Sequence, residues 1–244
     1  MVKKISLMFS GGVDSTYAAV RLGREFDEVH LLTFHNEYGH YRMERTARRF
    51  EEIRKLLPGK AFHRIVSIRQ LFEKVVLADL KADIEKYQSG FVWCMGCKLA
   101  MHATQISYDI ENGIDRAADG SSAETSEMVE QTLISISMIT HLYEDYGIRF
   151  SPVAYDETRR AKIDELKARG VRMGFRIGDR FLGVQPKCRP GEIYYMPYLI
   201  FHQPPKHDEM QIALYIREKS ALLREYLAGL GIQPRKQDHA LLRG

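Results

Sequence analysis

The 244-residue chain has only three cysteines and one tryptophan, and it lacks any long apolar run. An odd, small number of cysteines argues against a secreted fold built on paired disulfides and favours metal or redox chemistry in a reducing compartment. No apolar run approaches the ~18 residues of a membrane-spanning helix. The first strand begins too close to Met1 to leave room for a cleavable signal peptide. We therefore expect a cytoplasmic protein without membrane spans.

A strong charge of one sign is also lacking, because the formal net charge is only +4. With 45% apolar and 28% charged residues, the composition is that of an ordinary soluble globular protein, and a length of 244 residues suits one large α/β domain or one domain with an appendage. The charges are unevenly spread: residues 42–69 hold nine Arg or Lys against three Glu, and residues 107–131 hold seven acids and one Arg. This distribution is compatible with a polyanion docking on one side, but solvated helix faces explain it equally well.

The most informative segment, from Phe9 to Thr16, reads Phe-Ser-Gly-Gly-Val-Asp-Ser-Thr. It follows a short β-prone apolar run and precedes a helix-like run. A strand that turns through two glycines into a helix N-terminus makes an anion site, because the backbone N–H groups and the helix dipole face the same space. The hydroxyls of Ser10, Ser15 and Thr16 add donors. Asp14 supplies a carboxylate that could hold Mg²⁺ among phosphate oxygens.

Two common phosphate loops are excluded by what this segment lacks. A Walker A loop would have a Lys after its second glycine, and a dinucleotide fingerprint would have a third glycine. A Gly-Gly turn capped by Asp and Ser, without a ligand, is the other interpretation of the segment.

Strand and helix patterns alternate along the chain, which predicts an α/β fold with an open, mainly parallel sheet and helices on both faces. Gly170 is expected to end one helix in the left-handed conformation, and a further strand is expected at residues 198–201. The Pro204-Pro205 pair is the only linker-like segment of the sequence. We therefore expect an ATP-binding domain with the cysteines at 1–203, and a C-terminal helix and tail at 204–244 that could pair two subunits as a homodimer.

The three cysteines allow several interpretations. Cys94 and Cys97 form a Cys-x-x-Cys pair that is expected to precede a helix, and Cys188 follows much later. A pair at a helix N-terminus has a lowered thiol pKa and suits redox chemistry. Structural zinc needs a fourth ligand, which no second motif supplies. Three thiolates fit a [4Fe–4S] cluster with one iron left open. Alternatively Cys188 is unrelated to the pair. Lys187 and Arg189 could lower its pKa.

The sequence Ser-Gly-Gly-x-Asp-Ser resembles the PP-loop signature of the N-type ATP pyrophosphatases. This resemblance implies an adenine nucleotide alpha hydrolase-like fold. It also implies an enzyme that splits ATP between the α and β phosphates, adenylates an acceptor oxygen and releases pyrophosphate. Asp14, as the Mg²⁺ ligand, and Ser15 would be catalytic, and Phe34 would lie near the adenine. The implied ATP site comprises Ser10, Gly11, Gly12, Val13, Asp14, Ser15, Thr16, Phe34, Asp119 and Gly120.

A more detailed resemblance covers roughly residues 4–190. The run Cys-Met-Gly-Cys, then a helix, then Ala-Asp-Gly-Ser and a late cysteine, is similar to the tRNA-thiolating PP-loop enzymes, including 4-thiouridine synthetase and the 2-thiocytidine tRNA thiolases. It implies that Cys94, Cys97 and Cys188 hold a [4Fe–4S] cluster and that Cys188 is catalytic. A sulfur donor would supply the transferred atom, and the acceptor would be either tRNA or a small metabolite.

Two alternatives stay open at this point. The chain also resembles cyano-deazaguanine synthase, a PP-loop ligase that forms amides or nitriles and binds zinc through its cysteines. That family clusters four cysteines late in the chain, whereas this sequence has three that are split. A nucleotide-binding protein without turnover is the other alternative, and it is disfavoured because Ser10, Asp14 and Ser15 are all intact.

Overall fold

A five-stranded parallel sheet forms the centre of the residues that the computed structural model describes, which are 2–173, 185–201, 205 and 207–235. A separate pair of short antiparallel strands lies outside it. In chain order the strands are β1 (Lys4–Met8), β2 (Glu28–His35), β3 (His40–Tyr41), β4 (Lys60–Ser67), β5 (Arg116–Asp119), β6 (Arg149–Pro152) and β7 (Lys187–Cys188). The central sheet has the order β4-β2-β1-β5-β6, and β3 pairs with β7.

Helices cover both faces of the sheet. Because successive side chains of a strand point to opposite faces, Leu31 enters the core beneath one helical layer and Leu32 enters the core beneath the other. A π-helical turn at Glu73–Leu77 separates the third and fourth helices. The α-helices are α1 (Val13–Leu22), α2 (Glu44–Ile53), α3 (Arg69–Phe72), α4 (Leu80–Tyr87), α5 (Phe91–Glu111), α6 (Leu133–Glu144), α7 (Arg159–Ala168), α8 (Arg189–Phe201) and α9 (Glu209–Gly229).

The strand order changes direction beside β1. From β1 the chain moves through β2 to the edge strand β4, and it then returns to place β5 and β6 on the other side of β1. The carboxyl ends of β1 and β5 are therefore the switch point of the sheet, where the fold class predicts a crevice. Ligands of open α/β sheets bind at such a switch point. The predicted α/β fold, with a mainly parallel sheet and helices on both faces, is confirmed.

Local predictions had mixed outcomes. Gly170 does end α7 with a positive φ of 77°. Cys94 and Cys97 do not precede a helix but lie within α5, whose first turn begins at Phe91. Residues 198–201 are not a strand, because they complete α8. A short apolar run fits a strand and a buried helix segment equally well, so its period cannot separate the two.

The last helix shares the core of the sheet domain. Tyr215, Leu223 and Leu227 of α9 are fully buried in the cluster that also holds residues of α5 and α6. The expected domain boundary at residue 204 stays a prediction. None of the helices within the described ranges is long and apolar enough to cross a membrane.

Candidate active site at the switch point

The segment from Ser10 to Thr16, which carries the PP-loop signature and is called the PP-loop below, leads from β1 into α1 at the carboxyl end of the central strand. The backbone N–H of Ser10 donates to the Ser15 hydroxyl at 3.2 Å, and the two hydroxyl oxygens are 3.1 Å apart. The N–H of Gly12 donates to the Ser10 hydroxyl at 3.3 Å. Because α1 begins at Val13, its positive dipole end lies at the loop. The segment thus has the form expected of an anion site.

Two glycines let other segments approach this loop closely. Gly11 has a positive φ of 70°, and a Cβ there would lie 3.3 Å from Cβ of Arg49. Gly120, just after β5, would place a Cβ 2.8 Å from the backbone nitrogen of Ser15. No side chain fits at Gly120 without a shift of the loop. The structure therefore brings the end of β5 directly against the PP-loop.

The carboxylate of Asp14 lies between two cations. Lys162 of α7 is fully buried, and its Nζ donates to Asp14 Oδ1 at 2.9 Å and to the hydroxyl of Ser122 at 3.1 Å. A guanidinium nitrogen of Arg159 is 3.5 Å from Asp14 Oδ2. A buried ammonium is costly unless it is paired, so its position beside a phosphate-type loop is a functional signal. Sequence reasoning had not placed Lys162 or Arg159 at the site.

Asp119 ends β5 and is only 2% exposed. Its Oδ2 accepts from Lys98 Nζ at 2.7 Å and from the Ser121 hydroxyl at 2.7 Å. Burial opposes ionisation, but Lys98 and then His102 hold the pKa of Asp119 below its usual value. Asp119 is therefore a carboxylate at neutral pH. Because Lys98 follows Cys97 in α5, this ion pair connects the helical turns that carry the cysteines with the end of β5.

The structure brings the three cysteines together. Cys94 and Cys97 are three residues apart on α5, so they share a face of the helix. If Gly191 carried a Cβ atom, that atom would lie 3.8 Å from Sγ of Cys94 and 3.6 Å from Sγ of Cys188, so the two sulfurs lie close to the same point. All three thiols are free of disulfides. Cys188 therefore lies beside Cys94, and a shared role of the three thiols stays a prediction.

The thiols are not activated as a redox pair would be. Burial raises the pKa of Cys94 and of Cys97, and neighbouring thiols and Glu130 raise both further. Burial also raises the pKa of Cys188, although a backbone hydrogen bond from Gly191 opposes that shift. The expectation that basic neighbours lower the pKa of Cys188 is wrong. The pair lies in the first two turns of α5, but it is buried against the apolar core, and this burial outweighs the effect of the helix dipole.

Residues of the β2–β3 turn also reach the cysteines. The side-chain nitrogen of Asn36 lies 3.4 Å from Cys97 Sγ, and Nε2 of His40 lies 3.8 Å from the same sulfur. Burial, and then His35, lower the pKa of His40 to about 4, so its ring is neutral at physiological pH. Sequence reasoning missed these contacts, since no local pattern links a turn to a helix that begins more than 50 residues later.

The other residues that the sequence predicts to contact ATP are buried at the carboxyl edge of the sheet. Val13 and Thr16 lie in the first turn of α1, and Phe34 is the penultimate residue of β2. All three are at most 6% exposed. Their contact with a nucleotide stays a prediction.

A match to a family model shows which superfamily the chain belongs to. The family model described as "Queuosine biosynthesis protein QueC" matches residues 4–141, which is more than half of the chain. The chain belongs to the QueC family. This membership confirms the predicted PP-loop superfamily and supports an ATP-using enzyme. The QueC match includes the PP-loop, Cys94, Cys97 and Asp119, and it ends before Cys188.

Solved structures resemble this QueC-family chain in fold at low identity. A 4-thiouridine synthetase, solved with RNA and ATP, matches 93% of this chain at 15% identity and a TM-score of 0.53. The match covers 53% of that protein, so this chain spans about half of its length. The U34-tRNA thiolase NcsA of Methanococcus maripaludis, solved with its [4Fe-4S] cluster, gives 12% identity and a TM-score of 0.48 over 91% of this chain and 72% of its own.

A third structure, described as a predicted subunit of a tRNA methyltransferase from Methanocaldococcus jannaschii, gives 17% identity and a TM-score of 0.45. Its match covers 68% of this chain and 75% of its own. The synthetase match supports the α/β fold of the PP-loop superfamily, and we take nothing further from these likenesses.

Proposed function

We propose that the protein adenylates an acceptor oxygen with ATP and then replaces that oxygen by sulfur, in the crevice at the switch point. The observation that carries this proposal is the Lys98–Asp119 ion pair of 2.7 Å. Lys98 adjoins Cys97, and Asp119 precedes Gly120, which lies against Ser15 of the PP-loop. The pair therefore supports one shared crevice for the phosphate loop and the thiols.

In the first step, the acceptor oxygen attacks the α-phosphorus of ATP, and the bond from that phosphorus to the bridging oxygen breaks. Pyrophosphate leaves with the electron pair of that bond. The hydroxyls of Ser10 and Ser15 and the N–H groups of the loop would hold the departing phosphates, and Asp14 would hold Mg²⁺, which would neutralise charge on the leaving group. Lys162 and Arg159, which flank Asp14, add positive charge where negative charge develops. This arrangement lowers the barrier to α–β cleavage.

In the second step, a hydrosulfide donor attacks the carbon that bears the adenylated oxygen. The carbon–oxygen bond breaks, AMP leaves with the oxygen, and the proton of the hydrosulfide passes to solvent. Sulfur enters at the oxidation level of sulfide, so the exchange needs neither oxidant nor reductant. The acceptor is a tRNA base or a small metabolite that carries a carbonyl oxygen. We propose that Cys188 acts in this transfer as one of three ligands of a metal centre that would present the hydrosulfide.

The three cysteines carry thiol groups, which are the ligand type of zinc sites and iron–sulfur clusters. Three thiols, two on α5 and one at the end of β7, are a donor set for an iron–sulfur cluster or for zinc. Their raised pKa values suit thiols that ionise when a metal replaces the proton. Across the part of the chain that the structure describes, no group of three or more His, Cys, Asp or Glu side chains is already arranged to hold a metal ion. Binding therefore requires the sulfurs to close together.

We propose that Cys94, Cys97 and Cys188 hold a [4Fe–4S] cluster, with zinc as the alternative. Such a cluster would leave one iron free to hold the sulfur that is transferred. Among the described residues of the chain, His40 and Asn36 are the polar groups that face Cys97. Anaerobic purification with metal analysis and an absorption spectrum distinguishes the two metals.

A second candidate has support from the QueC family match. In this alternative the acceptor is a carboxylate, ammonia attacks the adenylated carbon, and AMP leaves to give an amide. The phosphate chemistry at Asp14 and Lys162 is the same. The cysteines would then hold zinc as a structural element.

The two candidates separate in a labelling experiment. The anaerobic protein receives ATP labelled at the α-phosphate, with ³⁵S-hydrosulfide or ¹⁵N-ammonium, and with total tRNA or a small-metabolite extract. We expect one AMP for each ³⁵S bound to an acceptor in one of the two extracts. Transfer of ¹⁵N instead of ³⁵S would favour the amide-forming candidate. ATP turnover that yields ADP, without either transfer, would contradict both.

A further inference from the structure

The side-chain amide of Asn36 has an orientation that its neighbours fix. Asn36 follows β2 and is fully buried. Its Oδ1 accepts from the backbone N–H groups of Tyr38, Gly39 and His40 at 3.1, 3.0 and 3.2 Å. An amide nitrogen in that place would face three donors, so the oxygen must occupy it. The amide nitrogen is thereby directed to Cys97 Sγ at 3.4 Å, as a donor.

One backbone contact favours a particular tautomer of the His40 ring. Its Nδ1 accepts from the backbone N–H of Asn36 at 3.3 Å, so a neutral ring carries its proton on Nε2. Nε2 lies 3.8 Å from Cys97 Sγ. His40 is also paired with Cys188 across β3 and β7, which keeps the ring beside the cysteines. Two N–H donors from one turn thus meet a single sulfur.

Two N–H donors that converge on one sulfur would stabilise that sulfur as a thiolate once a metal binds it. A neutral thiol is a weak acceptor, whereas a negatively charged sulfur gains strongly from N–H donors in buried surroundings. Donors around metal-bound sulfur strengthen metal binding and tune the electronic properties of the centre. A side chain that held a metal through Nε2 could not keep a proton there.

We propose that Asn36 and His40 are positioning residues that hold Cys97 as a thiolate ligand of the metal centre, with His40 acting as a donor and not as a ligand. This inference rests on the proposed function, since it assumes that the three cysteines bind metal. It assigns a role to the β2–β3 turn, which lies outside both the PP-loop and the cysteine motif.

Cobalt(II) titration of the reduced, metal-free full-length protein tests the proposal, because thiolate-to-cobalt charge-transfer absorption reports metal binding without turnover. Asn36→Asp keeps the acceptor for the three backbone N–H groups but replaces the donor to Cys97. His40→Leu removes the second donor, and His40→Gln keeps an N–H. Asn112→Asp and His141→Leu are matched controls, since these residues lie at the far end of α5 and on the exposed side of α6. Far-UV circular dichroism checks that each variant is folded.

We expect Asn36→Asp and His40→Leu to weaken cobalt binding about 10- to 100-fold. His40→Gln should recover most of the loss, and both controls should bind as the wild type does. Wild-type affinity in both Asn36→Asp and His40→Leu would overturn the inference alone. A His40→Gln variant as weak as His40→Leu, with changed cobalt d–d bands, would make His40 a ligand and overturn the donor role. Absence of charge transfer in the wild type would instead overturn the metal centre of the proposed function.

Discussion

The PP-loop and the cysteine centre lie at the same edge of the sheet but are built in different ways. The loop is one continuous segment, and hydrogen bonds between residues five positions apart, such as Ser10 and Ser15, fix its shape. The cysteine centre draws on the β2–β3 turn, on α5 and on β7. Its contact between Asn36 and Cys97 spans 61 positions. Local backbone geometry therefore sets the first site, whereas the second exists only when the whole domain is folded.

The electrostatics of the two regions differ as well. At the PP-loop, two cations flank Asp14 and a helix begins, so the region is suited to phosphate. At the cysteines, burial raises the thiol pKa values and two neutral N–H donors face one sulfur. The first arrangement attracts anions from solvent, and the second suits a soft metal shielded from it. The Lys98–Asp119 ion pair connects them.

The largest effect is expected from Lys162→Ala, which removes the buried cation beside Asp14. If Lys162 stabilises the departing pyrophosphate, the rate of AMP formation should fall about 100- to 1,000-fold. Lys167→Ala in the same helix removes an exposed lysine and should leave the rate unchanged. Rates from labelled ATP measure both. A loss smaller than about threefold would show that Lys162 does not act at the phosphates.

Lys98→Met breaks the connection between the two regions. It leaves the Asp119 carboxylate buried without its cation, which should destabilise the fold by about 3 kcal/mol at pH 7 in urea unfolding. The contribution has a defined pH dependence, because the folded-state pKa of Asp119 is depressed. It is fully present above the usual carboxyl pKa of about 4 and is lost as pH falls through the folded-state value.

The stability gap between wild type and Lys98→Met should therefore close in strong acid, where Asp119 is protonated in both proteins. Lys81→Met removes an exposed lysine of α4, whose side chain is 90% exposed, and should change stability little. A gap that persists unchanged in acid would assign the loss to packing and not to the ion pair.

Gly96→Ala tests how far the helical turns that carry the cysteines depend on packing against other helices. Its expected loss of stability is smaller than that of Lys98→Met. A Cβ at Gly96 would lie 2.5 Å from the hydroxyl of Tyr215 and 2.6 Å from a methyl of Val76. Such overpacking should cost about 1–3 kcal/mol in unfolding free energy. Gly229→Ala, where nothing lies within 4 Å of the new Cβ, is the control and should be neutral or slightly stabilising. Equal stability of the two variants would mean that α9 adjusts freely over the cysteines.

The same contrast explains what the sequence could predict. The alternation of strands and helices, the loop from Ser10 to Thr16 and the left-handed Gly170 were all predicted, because each depends on local pattern or backbone geometry. Cys94 and Cys97 were assigned to the wrong side of a helix start, since helix ends are weakly encoded. Lys162 was missed because its partner Asp14 is 148 positions away and no local period marks a buried lysine. The donors to Cys97 were missed for the same reason.

The most direct test of the central claim is the identity of the products from ATP labelled at the α-phosphate in one reaction and at the γ-phosphate in another. The account predicts AMP and pyrophosphate in equal amounts from the wild type and from Asp164→Asn, a control at a carboxylate that is 65% exposed on α7. Asp14→Asn should lower AMP formation by about 100-fold or more, because the Mg²⁺ ligand is lost. ADP and inorganic phosphate as the products, or full AMP formation by Asp14→Asn, would contradict it.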